Sequence, residues 1–125
     1  MNLPEDEIHI WQVGLSDVDP AALTQQALAW LQAKEIVRYE RLAQQRHRLE
    51  FLLGKWLTRI CLSKYTGLAI SDWQFTDNAY GKPQPSEGIG VQAPFFNLSH
   101  SNGRAVMAVS RTPELGVDIE FTGRK

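Results

Sequence analysis

Two carboxylates near the C-terminal end of the sequence offer the chemistry that is easiest to identify. Asp118 and Glu120 stand two residues apart in the run Leu-Gly-Val-Asp-Ile-Glu, which alternates like a β-strand. Residues two apart in a strand project to the same face. Two carboxylates on one face form an oxygen-rich site that suits a hard cation such as Mg²⁺. A solvated strand face is the alternative, but the adjacent Gly116 would let a ligand approach closely and favours the metal site.

A polar segment upstream supplies groups that could bind phosphate. Asn97, Ser99 and His100 lie in the run Phe-Phe-Asn-Leu-Ser-His-Ser. An imidazole can donate a hydrogen bond to an anion, whereas in an ordinary hairpin these side chains would bond the local backbone. Lys82 precedes Pro83, which stiffens the chain beside it. A lysine on a rigid turn can hold a phosphate as a point charge, although a lone lysine in a turn is normally solvated.

Basic residues are concentrated in one helical region. Arg41, Arg48, Lys55 and Arg59 are spaced by 7, 7 and 4 residues, which places them on one face if the helix extends upstream. This basic stripe is either a solvated face or a docking surface for a phosphorylated ligand or an acidic protein. The net charge is only −1 and acidic residues interrupt the stripe, so a nucleic-acid groove is not expected.

Apolar periodicity and turn residues predict the elements that position these groups. Strands are predicted at residues 8–13, 73–76, 95–98, 104–110 and 115–121, and helices at 21–31, 34–42 and 44–65. Asp19 is expected to cap the first helix with Pro20 in its first turn, and Gly67 is expected to end the third. Asn102-Gly103 is the favoured dipeptide of a tight hairpin.

The order of these elements predicts an α+β domain, with helices packed on a small antiparallel sheet. Residues 77–81 should form a turn, and a loop should follow through residue 90. Five residues of the long helix follow helical spacing and should face the core; they are Leu49, Leu52, Leu53, Trp56 and Ile60.

Composition bounds the class of protein. The chain has 125 residues, 43% hydrophobic and 22% charged, as in a soluble globular domain. The lone cysteine, Cys61, excludes an intrachain disulfide and is expected to be a buried small hydrophobe. There is no apolar run of about 18 residues and no signal-peptide pattern, so a cytoplasmic protein without a membrane span is expected.

The order of four motifs adds a family resemblance. A helical segment from Arg48 to Lys55 is followed by Tyr-Gly-Lys-Pro, then Phe-Asn-Leu-Ser-His-Ser, then Gly-Val-Asp-Ile-Glu. In this order, over about residues 38–121, the chain resembles the 4'-phosphopantetheinyl transferases of the surfactin-synthetase type. The resemblance implies Mg²⁺-dependent transfer of 4'-phosphopantetheine from coenzyme A to a serine of an acyl or peptidyl carrier protein. The alternative is a non-catalytic module that binds coenzyme A or docks carrier proteins.

The resemblance also implies roles for single residues. Asp118 and Glu120 would be the catalytic metal ligands, holding Mg²⁺ on the coenzyme A diphosphate. Ser99 and His100 would contact the region of the 3'-phosphate. The implied cofactor-binding residues are Arg48, Lys82, Pro83, Asn97, Ser99 and His100.

The chain departs from the family in length. Members of this type are about twice as long, with two similar halves, and a second-half Trp-x-x-Lys-Glu motif supplies a third acidic ligand. The expectation is that residues 1–125 are the N-terminal half of this pseudo-two-fold fold, with the C-terminal half absent. The similar run from Trp30 to Glu35 stands in the wrong order and is interpreted as coincidence. Two hypotheses follow: the chain alone is a poor transferase, and its uncovered sheet favours a homodimer.

Overall fold

A computed structural model describes residues 1–112 of the chain. Eight helices and strands are described, together with short 3-10 turns at Leu15–Asp17 and Ile70–Asp72. They are β1 (Ile8–Gly14), α1 (Pro20–Trp30), α2 (Ala33–Arg41), α3 (Gln45–Thr66), β2 (Phe75–Asp77), β3 (Pro83–Pro85), β4 (Phe95–Ser101) and β5 (Arg104–Ser110). The predicted α+β class is confirmed. The predicted strand at residues 115–121 lies outside the described residues.

The main sheet is antiparallel and has the order β1-β5-β4. Each outer strand pairs with β5 over seven residues, from Ile8 opposite Ser110 on one side and from Phe95 opposite Ser110 on the other. The predicted hairpin joins β4 to β5, where Asn102 and Gly103 both have positive φ, at 54° and 76°. Asparagine and glycine tolerate this left-handed backbone, and a turn with both central residues there matches the twist of the strands. As a result β4 extends to Ser101, three residues beyond its predicted end.

Helix α3 packs across one face of this sheet and forms the core. Leu52 and Leu53 are buried as predicted, and Leu57, Cys61 and Leu62 are buried with them. Burial also raises the pKa of the Cys61 thiol to about 12. The prediction was wrong for Leu49 and Ile60, which are only partly buried, whereas Trp56, also partly buried, packs against the core as predicted. The buried face is centred one residue later in each turn, because the sheet and α1 both pack against α3.

The helix ends agree with their sequence signals, with one exception. Pro20 is the first residue of α1, and Gly67 ends α3 with φ of 79° while its amide donates to Ser63 O at 2.9 Å. Asp19 stands at the N-cap of α1, but its side chain makes no capping hydrogen bond. The capping role predicted for Asp19 is therefore wrong.

A second, two-stranded sheet, here called the ribbon (residues 75–85), was predicted only in part. Its first strand begins at Phe75 instead of residue 73, because Trp73 is buried behind a 3-10 turn and its indole N–H donates to Ser63 Oγ at 2.7 Å. Its second strand, Pro83–Pro85, lies where a loop was predicted. Proline is tolerated there because a strand with only one neighbour needs few ladder donors.

No helix within residues 1–112 combines the length and the apolar character that crossing a bilayer requires.

Candidate functional site

Strand β4 presents different candidate groups on its two faces. A Cβ atom placed on Gly54 of α3 would lie 3.3 Å from both Leu98 Cδ2 and His100 Cδ2. Leu98 and His100 therefore face α3, and by strand alternation Asn97 and Ser99 face the opposite way. Within the described residues, β4 pairs with β5 alone. A ligand lying along the other edge of β4 would reach side chains of both faces.

Gly54 is the feature of α3 that allows this arrangement. A glycine inside a helix normally costs stability relative to alanine. Here the missing side chain leaves the space into which the His100 ring fits. The imidazole stays exposed to solvent at its other side, so it is supported by the helix and still accessible to a ligand.

Lys82 and Pro83 line a cleft between the ribbon and the beginning of β4. The cleft has a volume of about 470 Å³, and its wall also includes Asn78, Phe95 and Phe96. It combines one lysine charge with apolar and aromatic surface. Such a mixture suits a ligand that carries both a phosphate and a ring.

The turn before Lys82 is built by one asparagine side chain. Asn78 Oδ1 accepts hydrogen bonds from the amides of Tyr80 at 2.8 Å and Lys82 at 3.0 Å. Gly81 takes a positive φ of 79° and its amide donates to Asn78 O at 2.9 Å. This Asx-type turn fixes the backbone on both sides of the lysine. The Lys82 side chain itself is exposed.

The Arg48 side chain binds the backbone at the junction between α2 and α3. Its Nε donates to Leu42 O at 2.7 Å and its Nη2 to Glu40 O at 3.1 Å, and its guanidinium lies 5.1 Å from the centre of the Tyr39 ring. These carbonyls at the end of α2 lack helical partners. A guanidinium carries five N–H donors, so donors remain with which Arg48 could also contact a ligand.

The basic stripe does not form a surface. The side chain of Arg59 is 0% exposed and that of Lys55 is 16% exposed. Both point at Glu35, itself buried: Arg59 Nη2 donates to Glu35 Oε1 at 2.8 Å, and Lys55 Nζ lies 3.8 Å from Oε2. Of the four stripe residues, Arg41 alone is fully exposed. The predicted docking surface is therefore wrong, since its C-terminal half is an interior charge cluster.

Burial governs the electrostatics of this cluster. Desolvation is the main cause that lowers the pKa of Lys55, and the charge of Glu35 partly opposes it. Burial likewise lowers the pKa of Arg59, with Glu35 again opposing. Nearby, a hydrogen bond from Arg38 to Asp77, at 2.5 Å, lowers the pKa of that carboxyl.

The predicted metal ligands are Asp118 and Glu120. Asp118 and Glu120 lie outside the described residues, and within residues 1–112 no group of three or more His, Cys, Asp or Glu side chains could hold a metal ion. The magnesium site therefore stays a prediction from the sequence.

Sequence reasoning predicted the turn at residues 77–81 but missed the side-chain hydrogen bonds of Asn78 that build it, and it missed the buried partner Glu35. One signal for a counter-charge beside α3 was present. Lys55 and Arg59 are like charges four residues apart on a helix, an arrangement that destabilises the helix unless a counter-charge lies between them. Glu35 belongs to the run from Trp30 that was interpreted as coincidence, and nothing in the sequence points to it as that counter-charge.

The chain is similar in sequence to three proteins named as 4'-phosphopantetheinyl transferases, one of them putative, although no protein-family profile matches it. It is 31% identical to 4'-phosphopantetheinyl transferase HetI of Nostoc over 121 residues. The matched segment covers 97% of this chain and 50% of HetI. It is 29% identical over 93 residues to the putative 4'-phosphopantetheinyl transferase slr0495 of Synechocystis, covering 74% and 37% of the two chains. With 4'-phosphopantetheinyl transferase Sfp of Bacillus subtilis it shares 38% identity over 71 residues, covering 57% and 30%. The chain thus spans half or less of each of these relatives.

Two solved structures share its fold. One is the holo-[acyl-carrier-protein] synthase of Helicobacter pylori in complex with coenzyme A, with a TM-score of 0.59 and 16% identity over 83% of this chain and 98% of that one. The other is a holo-(acyl-carrier-protein) synthase from Bacillus anthracis in complex with coenzyme A (3',5'-ADP), with a TM-score of 0.60 and 20% identity over 82% and 91%. The resemblance to 4'-phosphopantetheinyl transferases is confirmed, whereas the surfactin-synthetase type stays a prediction: along nearly its whole length the chain is related in sequence to 4'-phosphopantetheinyl transferases, and it shares a fold with holo-[acyl-carrier-protein] synthases.

Proposed function

We propose that this chain provides the coenzyme A-binding part of a 4'-phosphopantetheinyl transferase. The observation that carries the proposal is the match to HetI over 97% of the chain. The geometry is compatible with it, because His100 is accessible on β4 and Lys82 lines an open cleft.

The reaction would be a phosphoryl-type transfer. The hydroxyl oxygen of a carrier-protein serine attacks the phosphorus that bears the pantetheine arm, and the serine proton passes to a base. The bond from that phosphorus to the bridging oxygen of the diphosphate breaks. The products are the phosphopantetheinylated carrier and adenosine 3',5'-bisphosphate. Negative charge grows on the phosphate oxygens, so fixed cationic donors accelerate the reaction.

Residues of this chain would supply some of those donors. Lys82 would hold a phosphate as a point charge. His100 and Ser99 would donate to the nucleotide phosphate from opposite faces of β4, across the edge of the strand that lies away from β5, and Asn97 would lie on the same face as Ser99. Pro83 would keep the cleft wall rigid beside the adenine. Arg48 would use the N–H groups that the α2 carbonyls leave free.

Asp118 and Glu120 would hold Mg²⁺, because carboxylate oxygens are the ligands that this ion prefers. A bound Mg²⁺ would neutralise charge on the diphosphate.

We further propose that residues 1–125 correspond to the N-terminal half of such an enzyme, since the chain spans 50% of HetI. The opposite wall of the cleft would come from a second half or, in a homodimer, from a second copy of this chain. The carrier protein would dock across both. Transfer by the 125-residue chain alone is then expected to be weak, and full activity of the purified chain would contradict its being an incomplete half.

Magnesium-dependent binding of coenzyme A tests the enzymatic proposal. Calorimetric titration should show tighter binding with Mg²⁺ than with a chelator. Asp118→Ala should abolish that difference, whereas Asp72→Ala, which removes an exposed carboxylate outside the site, should preserve it. Binding that is indifferent to Mg²⁺ and to Asp118→Ala would favour the non-catalytic module. A wild-type chain that does not bind coenzyme A would overturn both.

A further inference from the structure

We propose that Glu35 is a positioning residue for the ribbon and, through it, for the ligand groups of Lys82 and Pro83. The ligand in this inference rests on the proposed function; the mechanical role of Glu35 does not. Glu35 is unusual for a carboxylate, because it is only 2% exposed and pairs with two cations from another helix.

The first link runs from Glu35 through Arg59 to the ribbon. The Arg59 guanidinium carbon lies 4.7 Å from the centre of the Trp30 ring and 5.1 Å from that of Phe75, the first ribbon residue. Within residues 1–112, its Nε and Nη1 atoms have no hydrogen-bond partner although they are buried. The cation is therefore held by two aromatic faces and one carboxylate. A buried cation that loses its carboxylate cannot stay in place without large cost.

The second link runs through the first turn of α2. Glu35 Oε1 also accepts a hydrogen bond from the Gln32 amide at 2.9 Å. The Gln32 side chain in turn accepts from the Phe75 amide at 2.8 Å, and Lys34 Nζ donates to Phe75 O at 2.5 Å. Both backbone polar groups of Phe75 are thus bound, by Gln32 at the N-cap of α2 and by Lys34 in its first turn. Glu35 fixes the backbone of Gln32, whose side chain holds the Phe75 amide.

Phe75 connects these contacts to the wall of the cleft. Its ring stacks on Trp73 at 5.8 Å between centres and meets Phe96 of β4 edge-on at 6.4 Å. From Phe75 the ribbon pairs continuously to Asp77 opposite Pro83, and the Asn78 amide donates to Lys82 O at 2.8 Å. A shift of Phe75 would therefore move the wall of the cleft that carries Lys82.

Amide hydrogen exchange of Glu35→Gln tests the mechanical role without any ligand. The amides of Phe75 and Asn78 in the ribbon, and of Ser86 directly after it, should exchange about tenfold faster than in the wild type, because a charge-assisted anchor is lost. Amides in the centre of β5 should change less. Coenzyme A should bind about tenfold more weakly.

Met107→Ala is the matched control for general destabilisation. Met107 is fully buried between α3 and the sheet, so its truncation should lower stability and accelerate exchange in β5 while leaving the affinity for coenzyme A unchanged. If Glu35→Gln does not fold, Gln32→Ala removes one ribbon hydrogen bond without unpairing a buried charge. Gln32→Ala should also accelerate exchange of the Phe75 amide, by a smaller factor than Glu35→Gln.

Unchanged exchange at the ribbon amides in both variants would overturn the positioning role. Faster exchange with unaltered affinity for coenzyme A would overturn its connection to the site. A wild-type chain that does not bind coenzyme A would instead contradict the proposed function, and the exchange comparison would still decide the role of Glu35.

Discussion

The sheet core and the ribbon are held in place by different kinds of interaction. In the core, Ala105, Met107 and Val109 of β5 are 0% exposed, and each outer strand pairs over seven residues. The ribbon pairs over only three residues, and Phe75 is its one buried member. Apolar burial fixes the first region. The second is held by hydrogen bonds from Phe75 to Gln32 and Lys34, by the Arg38–Asp77 ion pair and by the ring contacts of Phe75. The candidate ligand groups are divided between the two regions, with His100 on the core and Lys82 on the ribbon.

The largest expected effect on stability is in the core. Leu52→Ala removes a side chain that is 0% exposed and should lower the free energy of unfolding by about 2–5 kcal/mol. Pro83→Ala in the ribbon should change it by less than about 1 kcal/mol. Urea unfolding measures both. Equal losses of unfolding free energy for the two variants would contradict the difference between a sheet core fixed by apolar burial and a ribbon held mainly by polar contacts.

Gly54→Ala should have an intermediate effect that links stability to the site. Helix propensity alone predicts a gain of about 1 kcal/mol. The new methyl group would meet Leu98 and His100 at 3.3 Å, so we expect no gain and severalfold weaker binding of coenzyme A. Gly67→Ala is the control, since it strains a left-handed cap with open space around it and should cost about 1 kcal/mol without altering the affinity. A stabilised Gly54→Ala variant with normal affinity would show that His100 does not depend on this contact.

The core was more predictable from sequence than the ribbon, for a physical reason. Helical spacing and the Asn-Gly turn are local patterns, and they predicted α3, the β4–β5 hairpin and the burial of Leu52 and Leu53. The ribbon depends on contacts distant in sequence, such as those of Phe75 with α2, which no local pattern shows. Hence β3 was predicted as loop.

The candidate site divides in the same way. The residue types of Lys82, His100 and Arg48 suggested anion binding from the sequence, and the family motifs gave them their implied roles. The burial of Lys55 and Arg59 could not be predicted. Helical spacing shows which charges share a face, but it does not show that Glu35 of another helix would pair with two of them in the interior. Strand alternation could have separated Ser99 from His100, since neighbours in a strand face opposite ways.

The smallest expected effect concerns the exposed pair between Arg38 and Asp77. The hydrogen bond from Arg38 lowers the pKa of Asp77 in the folded chain. The pair should therefore stabilise the folded chain fully at pH values above the ordinary aspartate pKa. This stabilisation should be lost as the pH falls through the lowered pKa of Asp77. Because the pair is solvent-accessible, Asp77→Asn should cost only about 0.2–1 kcal/mol at neutral pH. Melting temperatures of both proteins should converge in acid; a constant difference would mean that Asp77 acts through something other than its charge.

Calorimetric titration of coenzyme A into the wild-type chain, His100→Ala and His47→Ala tests the central claim most directly. Both histidines are exposed, but His47 lies in the first turn of α3, seven residues before Gly54, the helix position that His100 contacts. The account predicts that His100→Ala weakens binding about 10–100-fold, the cost of one hydrogen bond to a charged group, and that His47→Ala binds like the wild type. Equal affinities for the two variants would contradict the placement of the coenzyme on the edge of β4.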